Sequence, residues 1–260
     1  MERQGERGGS RNRIKAVRTM FRVVDGLREH GQMGVSQLAE RLEMPKSTVH
    51  VYLKTLEDEG YVVNEDGSYR ASLRFLELGG DIRQQLSIFQ AVRPQVDDLS
   101  AETGEVANLG IEEGGQRVLL YSSEPSEGVF DNSPVGQYTH MHRTALGKAL
   151  LAQLPDARVR EILDEHGLPR ATENTITDRD ELFAEIDEIR ERGYSIEDEE
   201  RRKGIKALAA PIRYDDDPSP VAAVSVSGPK PRIGDVANDE LIDAIKNAVN
   251  VTELRYKHYQ

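Results

Sequence analysis

The sequence predicts an α+β protein whose first part is a winged helix-turn-helix. Three short helical patterns follow one another between Ile14 and Leu56, and a strand, turn and strand follow at once with Asp66-Gly67 as the turn. Two further hairpin patterns, separated by helical segments, occur in the later residues. The sequence therefore predicts helices and an antiparallel sheet in the second part.

Composition limits the class of protein. The chain has 260 residues, of which 37% are hydrophobic, enough for two domains with real cores. It has no cysteine, which excludes disulfide frameworks and cysteine-based zinc sites and fits a reducing interior. We find neither a long apolar run nor a charged-then-apolar leader. We expect a cytoplasmic protein with no membrane partner and with residues 1–11 disordered.

Charge is distributed unevenly along the chain. The formal net charge is -12, yet residues 1–80 hold 13 Lys and Arg against 12 Asp and Glu, whereas residues 81–260 hold 21 against 34. The first third can approach a polyanion and the remainder would resist one. Arg outnumbers Lys by 25 to 9. An acid-rich, lysine-poor surface of this kind resembles proteins of salt-accumulating organisms.

The first two helices have recognisable boundaries. The first is predicted to end near Gly31, because apolar residues recur before it at spacings of three and four: Ile14, Val17, Phe21, Val24 and Leu27. Ser36 is placed to cap the second helix. Pro45 suits the first turn of the third, where its missing N–H is not needed.

The third helix has an apolar face and a face that suits binding. Val49, Leu53 and Leu56 share the apolar face. In a winged helix-turn-helix the third helix enters the DNA major groove. We therefore predict DNA contacts from the second and third helices: Ser36, Lys46, Ser47, Thr48, His50, Val51 and Lys54. A merely solvated face, or a winged helix that binds protein, is the alternative.

The order of motifs resembles one family. The stretch GVSQLAERLEMPKSTVHVYLKTLEDEGYVVNEDGSYRASLRFLELG is similar to the DNA-binding domain of IclR-type transcriptional regulators. The later blocks HMHRTALGKALLAQLP, TITDRDEL, IRERGYSIEDEE, GIKALAAPI and VAAVSVSGP resemble that family's effector-binding domain in the same order. The resemblance covers about residues 12–257. It implies a ligand-responsive transcriptional regulator of metabolic genes that reads a near-palindromic DNA operator as a homodimer or dimer of dimers.

The resemblance also implies a domain plan. Residues 12–74 would form the DNA-binding domain, 75–93 a helical linker and 94–258 a GAF/PAS-like effector domain, with a curved antiparallel sheet flanked by helices. Patterns in the sequence suggest two further details. We expect residues 82–103 to be helical with a break at Pro94, and Thr177 with Asp180 to form a capping box.

The resemblance implies an effector site whose roles are carried over residue by residue. Ala145 and Leu146 would donate backbone amides, and Glu197 would be an acidic contact. Ile205 and Ala207 would form apolar walls, and Ser225 and Ser227 would donate hydroxyls. Glu197 stands where Asp can occur in the family, and Ala207 where Cys can occur. The expected ligand is small and oxygen-rich with at most one carboxylate, such as a sugar acid or short hydroxy acid, and no cofactor is expected.

Motifs for catalysis are weak. Gly147-Lys148 lacks the Ser or Thr that a phosphate loop requires, and Ser225 and Ser227 lack the Gly-x-Ser-x-Gly elbow. His140-x-His142 favours loop packing over metal binding, and the acids from Glu197 to Glu200 suggest a solvated charge run. We assign no catalytic or metal residue. A small-molecule enzyme or sensor with a fused DNA-binding domain, and a chromatin protein without ligand, remain as alternatives.

Overall fold

The computed structural model describes residues 14–125, 133–213, 222–234 and 239–259. Residue contacts divide the chain after Ile82 into an N-terminal and a C-terminal unit. The expectation of disorder for residues 1–11 lies outside the described residues.

The N-terminal unit is a winged helix-turn-helix, as predicted. Its elements are α1 (Lys15–His30), β1 (Met33–Gly34), α2 (Val35–Arg41), α3 (Lys46–Asp58), β2 (Val62–Glu65) and β3 (Ser68–Ala71), after which α4 (Arg74–Gln85) begins. The predicted hairpin turns at Asp66 and Gly67, both with positive φ. The sequence did not indicate β1, which pairs with β3 and completes a three-stranded sheet.

One expectation for this unit was wrong in detail. Ser36 does not cap α2, because β1 runs directly into the helix and makes Gly34 the N-cap. The Gln37 side chain accepts the Gly34 amide instead, at 3.1 Å. In α1 the periodicity correctly predicts a helix, but three residues of the apolar pattern are exposed, namely Ile14 just before the helix (69%), Val17 (45%) and Phe21 (53%). Leu27 of the pattern faces the core, together with Val23.

The C-terminal unit is a six-stranded antiparallel sheet covered by helices. Its elements are α5 (Ser87–Thr103), β4 (Val106–Glu113), β5 (Gln116–Ser123), β6 (Tyr138–Thr139), α6 (Ala145–Gln153), α7 (Asp156–His166), α8 (Arg179–Arg192), β7 (Ser195–Asp198), β8 (Ile205–Ile212), β9 (Ala222–Pro229), α9 (Lys230–Ile233) and α10 (Asp239–Tyr259). The strand order is β6-β5-β4-β9-β8-β7. Both predicted hairpins, β4–β5 and β8–β9, are present.

Successive side chains along each strand point to opposite faces of the sheet and form two apolar layers. On β9, Val224 and Val226 pack with α5 and α10 on one face of the sheet, whereas Ala223 packs with α6 to α8 on the other. Ser225 and Ser227 alternate with these valines and therefore face the α6 side. The strands are buried on both faces, so they read as apolar runs in the sequence.

Two further boundaries differ from expectation. The helix break expected at Pro94 falls at Leu86, and Pro94 lies inside α5. Its ring is on the solvent-exposed side, where water can satisfy the carbonyl that loses its partner. Asp178, not Thr177, caps α8, accepting the amides of Asp180 and Glu181 at 2.9 and 3.1 Å. The domain limits at 74 and 93 remain predictions.

Candidate functional site

The exposed face of α3 carries the predicted DNA-contacting residues. Val49, Leu53 and Leu56 are buried in the N-terminal core and fix the rotation of the helix. That rotation leaves Thr48 partly exposed and these residues exposed: Lys46, Ser47, His50, Val51 and Lys54. Ser36 is also exposed, in the first turn of α2.

Positive charge on and near this face is largely compensated. The Lys54 ammonium lies 3.2 Å from Glu57 and 3.5 Å from Asp58, and the hydrogen bond that it donates to Glu57 raises the pKa of Lys54. On the wing, Arg70 contacts Glu65 at 2.8 Å. Val51, which is 61% exposed, presents an apolar surface on the same face. Such a face suits contacts with base edges better than contacts with many phosphates.

A cavity of about 30 Å³ lies in the C-terminal unit, between the sheet and the start of α6. Its lining contains six of the seven residues predicted for the effector: Ala145, Leu146, Glu197, Ala207, Ser225 and Ser227. Ile205 is two residues before Ala207 on β8, outside this lining. Residues that the sequence did not suggest complete the wall: Asn108, Arg117, Leu119, Ser133, Thr144 and Arg201.

Helix α6 presents its N-terminus to the cavity. The Thr144 hydroxyl accepts the Gly147 amide at 2.9 Å and caps the helix. A Cβ at Gly147 would overlap the backbone of Met141, so glycine lets the preceding turn fold tightly against the helix. The amides of Ala145 and Leu146 lie in the first turn, where helix geometry provides no acceptor. They can therefore donate to an anion, aided by the helix dipole.

The sheet provides a row of polar groups. Ala207 pairs in register with Glu197 on one side and Ser227 on the other. Its methyl group leaves space between the carboxylate and the hydroxyl. Asn108, in register with Ser225, donates through its side-chain amide to the Ser227 hydroxyl at 3.2 Å. Hydroxyl, amide and carboxylate groups thus converge on one small space.

Two arginines bring positive charge that our sequence analysis missed. Arg117 is buried on β5 and donates to the Thr139 hydroxyl at 3.1 Å. A Cβ at Gly110 would lie 3.3 Å from its Cδ, so glycine lets the arginine stem cross β4. Arg201 follows β7 and donates to Ser133 at 2.9 Å. The one available signal was an arginine at an inward position of an otherwise apolar strand.

Glu197 is the acidic group of the cavity. It is 2% exposed, and burial raises its pKa to about 7, although the Arg201 amide, which donates to Oε1 at 3.2 Å, acts in the opposite direction. The expectation that the acids from Glu197 to Glu200 form a solvated run was wrong. Glu200 is also buried, and Lys148 of α6 donates to it at 2.7 Å.

The remaining motifs have structural partners. Lys148 is buried against Glu200 and Glu185, so it anchors α6 and does not point to a phosphate site. His142 bonds to the Pro169 carbonyl at 3.2 Å, and burial lowers its pKa to about 4. Its ring lies 5.7 Å from that of His140. Within the described part of the chain, no group of His, Asp and Glu has the geometry to hold a metal ion.

Two family models match this protein, one in each of the two units. The family model described as the bacterial transcriptional regulator IclR C-terminal domain matches residues 81–252, and the IclR helix-turn-helix domain model matches residues 17–66. The chain belongs to the IclR family of transcriptional regulators. Its N-terminal unit is the DNA-binding domain and its C-terminal unit the effector-binding domain of an IclR-family regulator.

Individual relatives match over most of their length. The chain is 30% identical to the HTH-type transcriptional regulator KdgR of Dickeya chrysanthemi, covering 90% of this chain and 77% of the relative. It is 28% identical to the probable HTH-type transcriptional regulator ArcR of Halobacterium salinarum, covering 98% of each. The crystal structure of the Thermotoga maritima IclR superposes with a TM-score of 0.77 at 28% identity, covering 94% of this chain and 99% of that one.

The relatives in the IclR family are named as transcriptional regulators, which supports regulation of transcription as the function of this protein. Among the helices that the structure describes, none is long and apolar enough to cross a membrane.

Proposed function

We propose that this IclR-family protein is a cytoplasmic homodimer that reads a near-palindromic operator with α3 and changes its affinity when a small acid fills the α6 cavity. The observation that carries the proposal is the convergence in one cavity of a helix N-terminus, two arginines and a buried carboxylate. We expect the regulated genes to be metabolic genes, since small oxygen-rich acids are common metabolic intermediates.

The DNA-reading role rests on the α3 face. Ser47, Thr48 and His50 carry donors and acceptors for base edges, and Val51 offers a methyl surface for thymine. Lys46 and Ser36 are placed for phosphates, as they are exposed at the start of their helices. Lys54 would first exchange its contacts with Glu57 and Asp58 for a phosphate.

The effector role rests on electrostatic complementarity. The amides of Ala145 and Leu146, with Arg117 and Arg201, favour a carboxylate, whereas Glu197 disfavours a second one. Ser225 and Ser227 face the same space and supply hydroxyls. We infer a monocarboxylate with at least one further oxygen.

Exposed apolar surface in the N-terminal unit supports the proposed dimer. Ile14, Val17 and Phe21 form an exposed stripe on α1. A second set of exposed apolar residues lies on and just before α4: Leu73, Leu76, Leu78 and Ile82. Exposed apolar stripes of this kind are typical of protein interfaces. A second copy of the chain covers both at once and presents two recognition helices.

The test separates effector binding from DNA binding. The operator is first identified by genome-wide mapping of bound sites, and the neighbouring genes suggest candidate acids. Ser225→Ala with Ser227→Ala should then keep operator affinity without effector but abolish the effector's influence on it. A ligand with equal affinity for both states shifts nothing, so the response reports differential binding.

If the double variant responds like the parent, the effector binds elsewhere. Turnover of the bound acid would favour the enzyme alternative, and binding to DNA regardless of sequence would favour the chromatin alternative.

A further inference from the structure

The basic residues of the N-terminal third are concentrated in one short stretch. Residues 7–24 hold six Lys and Arg and no Asp or Glu. Because residues 1–80 hold 13 Lys and Arg against 12 Asp and Glu, the rest of that third holds 7 against 12, an excess of five acids. The remainder of the N-terminal third, which contains the recognition helix α3, is therefore acidic. The net attraction of this third to the phosphates of DNA comes from residues 7–24.

Three of these six cations lie on one face of α1. Lys15, Arg18 and Arg22 recur at spacings of three and four, so they share a face of the helix. The apolar stripe that supports the proposed dimer lies one residue earlier at each position, about 100° around the helix. Pairing through the apolar stripe therefore does not use these cations.

The start of α1 lies beside the start of the recognition helix. Arg22 donates to the Leu42 carbonyl at 2.8 Å, in the turn just before α3. Near the first turn of α1, Ala16 lines the same surface groove as Ser47 and Thr48 of α3. The basic face of α1 thus belongs to the same part of the domain as the residues predicted to read bases.

Two of the three cations are free to bind an anion. Lys15 and Arg18 are exposed, and among the described residues no Asp or Glu forms an ion pair with either. Lys54 on α3 and Arg70 on the wing are both paired with acids. The helix dipole disfavours cations near the start of a helix, so the stability of α1 does not account for these two positions.

We propose that Lys15 and Arg18 bind operator phosphates next to the base pairs that α3 reads, and that they supply positive charge that α3 and the wing lack. The inference rests on the proposed function, in which a dimer reads DNA with α3. Phosphates carry no sequence information, so these contacts raise the affinity for any DNA and fix the position of α3 on it. A dimer gains four such contacts, well below the number in a protein that makes about ten.

Lys15→Gln with Arg18→Gln tests the inference in the full chain. Affinity is measured by gel shift across a salt series, for the mapped operator and for an unrelated duplex of the same length. The variant should bind both duplexes more weakly by a similar factor. Its log–log salt slope should be shallower by about 3.6, because each of four lost phosphate contacts removes about 0.9. Over a fourfold rise in salt, the parent should therefore lose on the order of a hundredfold more affinity than the variant.

Two further variants serve as controls. Arg28→Gln with Lys203→Gln removes two exposed cations that are already paired with acids, so it changes the net charge equally and should keep the parent's slope. Lys15→Arg with Arg18→Lys retains both charges and should also keep that slope. Thermal unfolding checks that every variant folds.

Three results would overturn the inference. One is an unchanged salt slope in the Lys15→Gln, Arg18→Gln variant, and another is a loss of affinity confined to the operator. The third is an equal change of slope in the Arg28→Gln, Lys203→Gln control, since net charge alone would then explain the effect. The proposed function fails separately, if the parent binds the operator and the unrelated duplex equally.

Discussion

At the residue scale, the buried carboxyl of Glu197 affects the stability of the fold. Its carboxyl is removed from water beside Glu200, and burial outweighs the contribution of the Arg201 amide. A polar group in this position costs stability in the empty protein and regains it when a ligand satisfies it. The buried carboxyl of Glu197 thus makes the empty cavity unfavourable.

This cost should be visible in the pH dependence of unfolding. The folded pKa of Glu197, about 7, exceeds its usual value of 4.5. The folded state therefore favours the proton, so this group's stability is fully present below about pH 4.5 and lost as the pH rises through 7. The loss is at most about 3 kcal/mol at pH 8.

Denaturant unfolding of Glu197→Gln and the parent measures this effect. The variant should be more stable than the parent at pH 8 and similar to it at pH 4.5, because the amide keeps the neutral form at both. Glu191→Gln, on the exposed side of α8, controls for charge alone. A variant less stable than the parent at pH 8 would show that the ionised carboxylate is well satisfied in the protein.

At the element scale, α3 combines a fixed buried face with a reading face. Val49, Leu53 and Leu56 determine the rotation of the helix, so we expect substitutions on the opposite face to change DNA binding without changing the fold. Thr48→Ala with His50→Ala should weaken operator binding, each lost base contact costing about 1 to 3 kcal/mol of discrimination. Gel-shift titration measures the affinity, and thermal unfolding checks the fold. Unchanged affinity would remove α3 from base recognition.

The low positive charge of the same element predicts that operator affinity depends weakly on salt concentration. Lys54 is paired within the helix, and Val51 on the same face is uncharged. Few counterions are released, so the log–log slope of affinity against salt should be shallow, and Val51→Arg should steepen it by about 0.9. The measurement is operator affinity across a salt series. A parent slope typical of about ten phosphate contacts would contradict this expectation.

At the scale of the whole molecule, assembly and DNA recognition are expected to depend on one another. A single winged helix reads few base pairs, and two-fold pairing presents recognition helices to successive major grooves about 34 Å apart. Footprints should therefore be near-palindromic. The acidic remainder of the chain, residues 81–260, would repel DNA and leave contact to the N-terminal units.

The apolar stripes allow a direct test of assembly. Phe21→Glu with Leu76→Glu places charges in both stripes and should convert the dimer to monomers, because a charge buried in an interface lacks a partner. Light scattering after size exclusion measures the mass. Val51→Glu, another exposed apolar position, should leave the mass unchanged. A monomeric parent at micromolar concentration, or footprints without a dyad, would count against pairing.

Much of the local structure could be predicted from the sequence, because periodicity and turn residues act over a few positions. The order of the three N-terminal helices and the wing, with Asp66-Gly67 at its turn, was predicted correctly. The hairpins β4–β5 and β8–β9 were also predicted from short patterns. Boundaries were less secure where two signals compete, as at Asp178 and Thr177, which lie side by side and both resemble caps.

The sequence by itself determined the order of the three N-terminal helices and the wing, the two later hairpins and the family, and the family resemblance named six residues that line the cavity. Only the tertiary structure decided which residues share the cavity with them, since Asn108, Arg117 and Arg201 come from distant segments that meet through strand pairing. It also decided that Glu197 and Glu200 are buried and that Phe21 is exposed. Burial depends on what packs opposite a residue, and that neighbour is set by contacts far along the chain, which local patterns cannot encode.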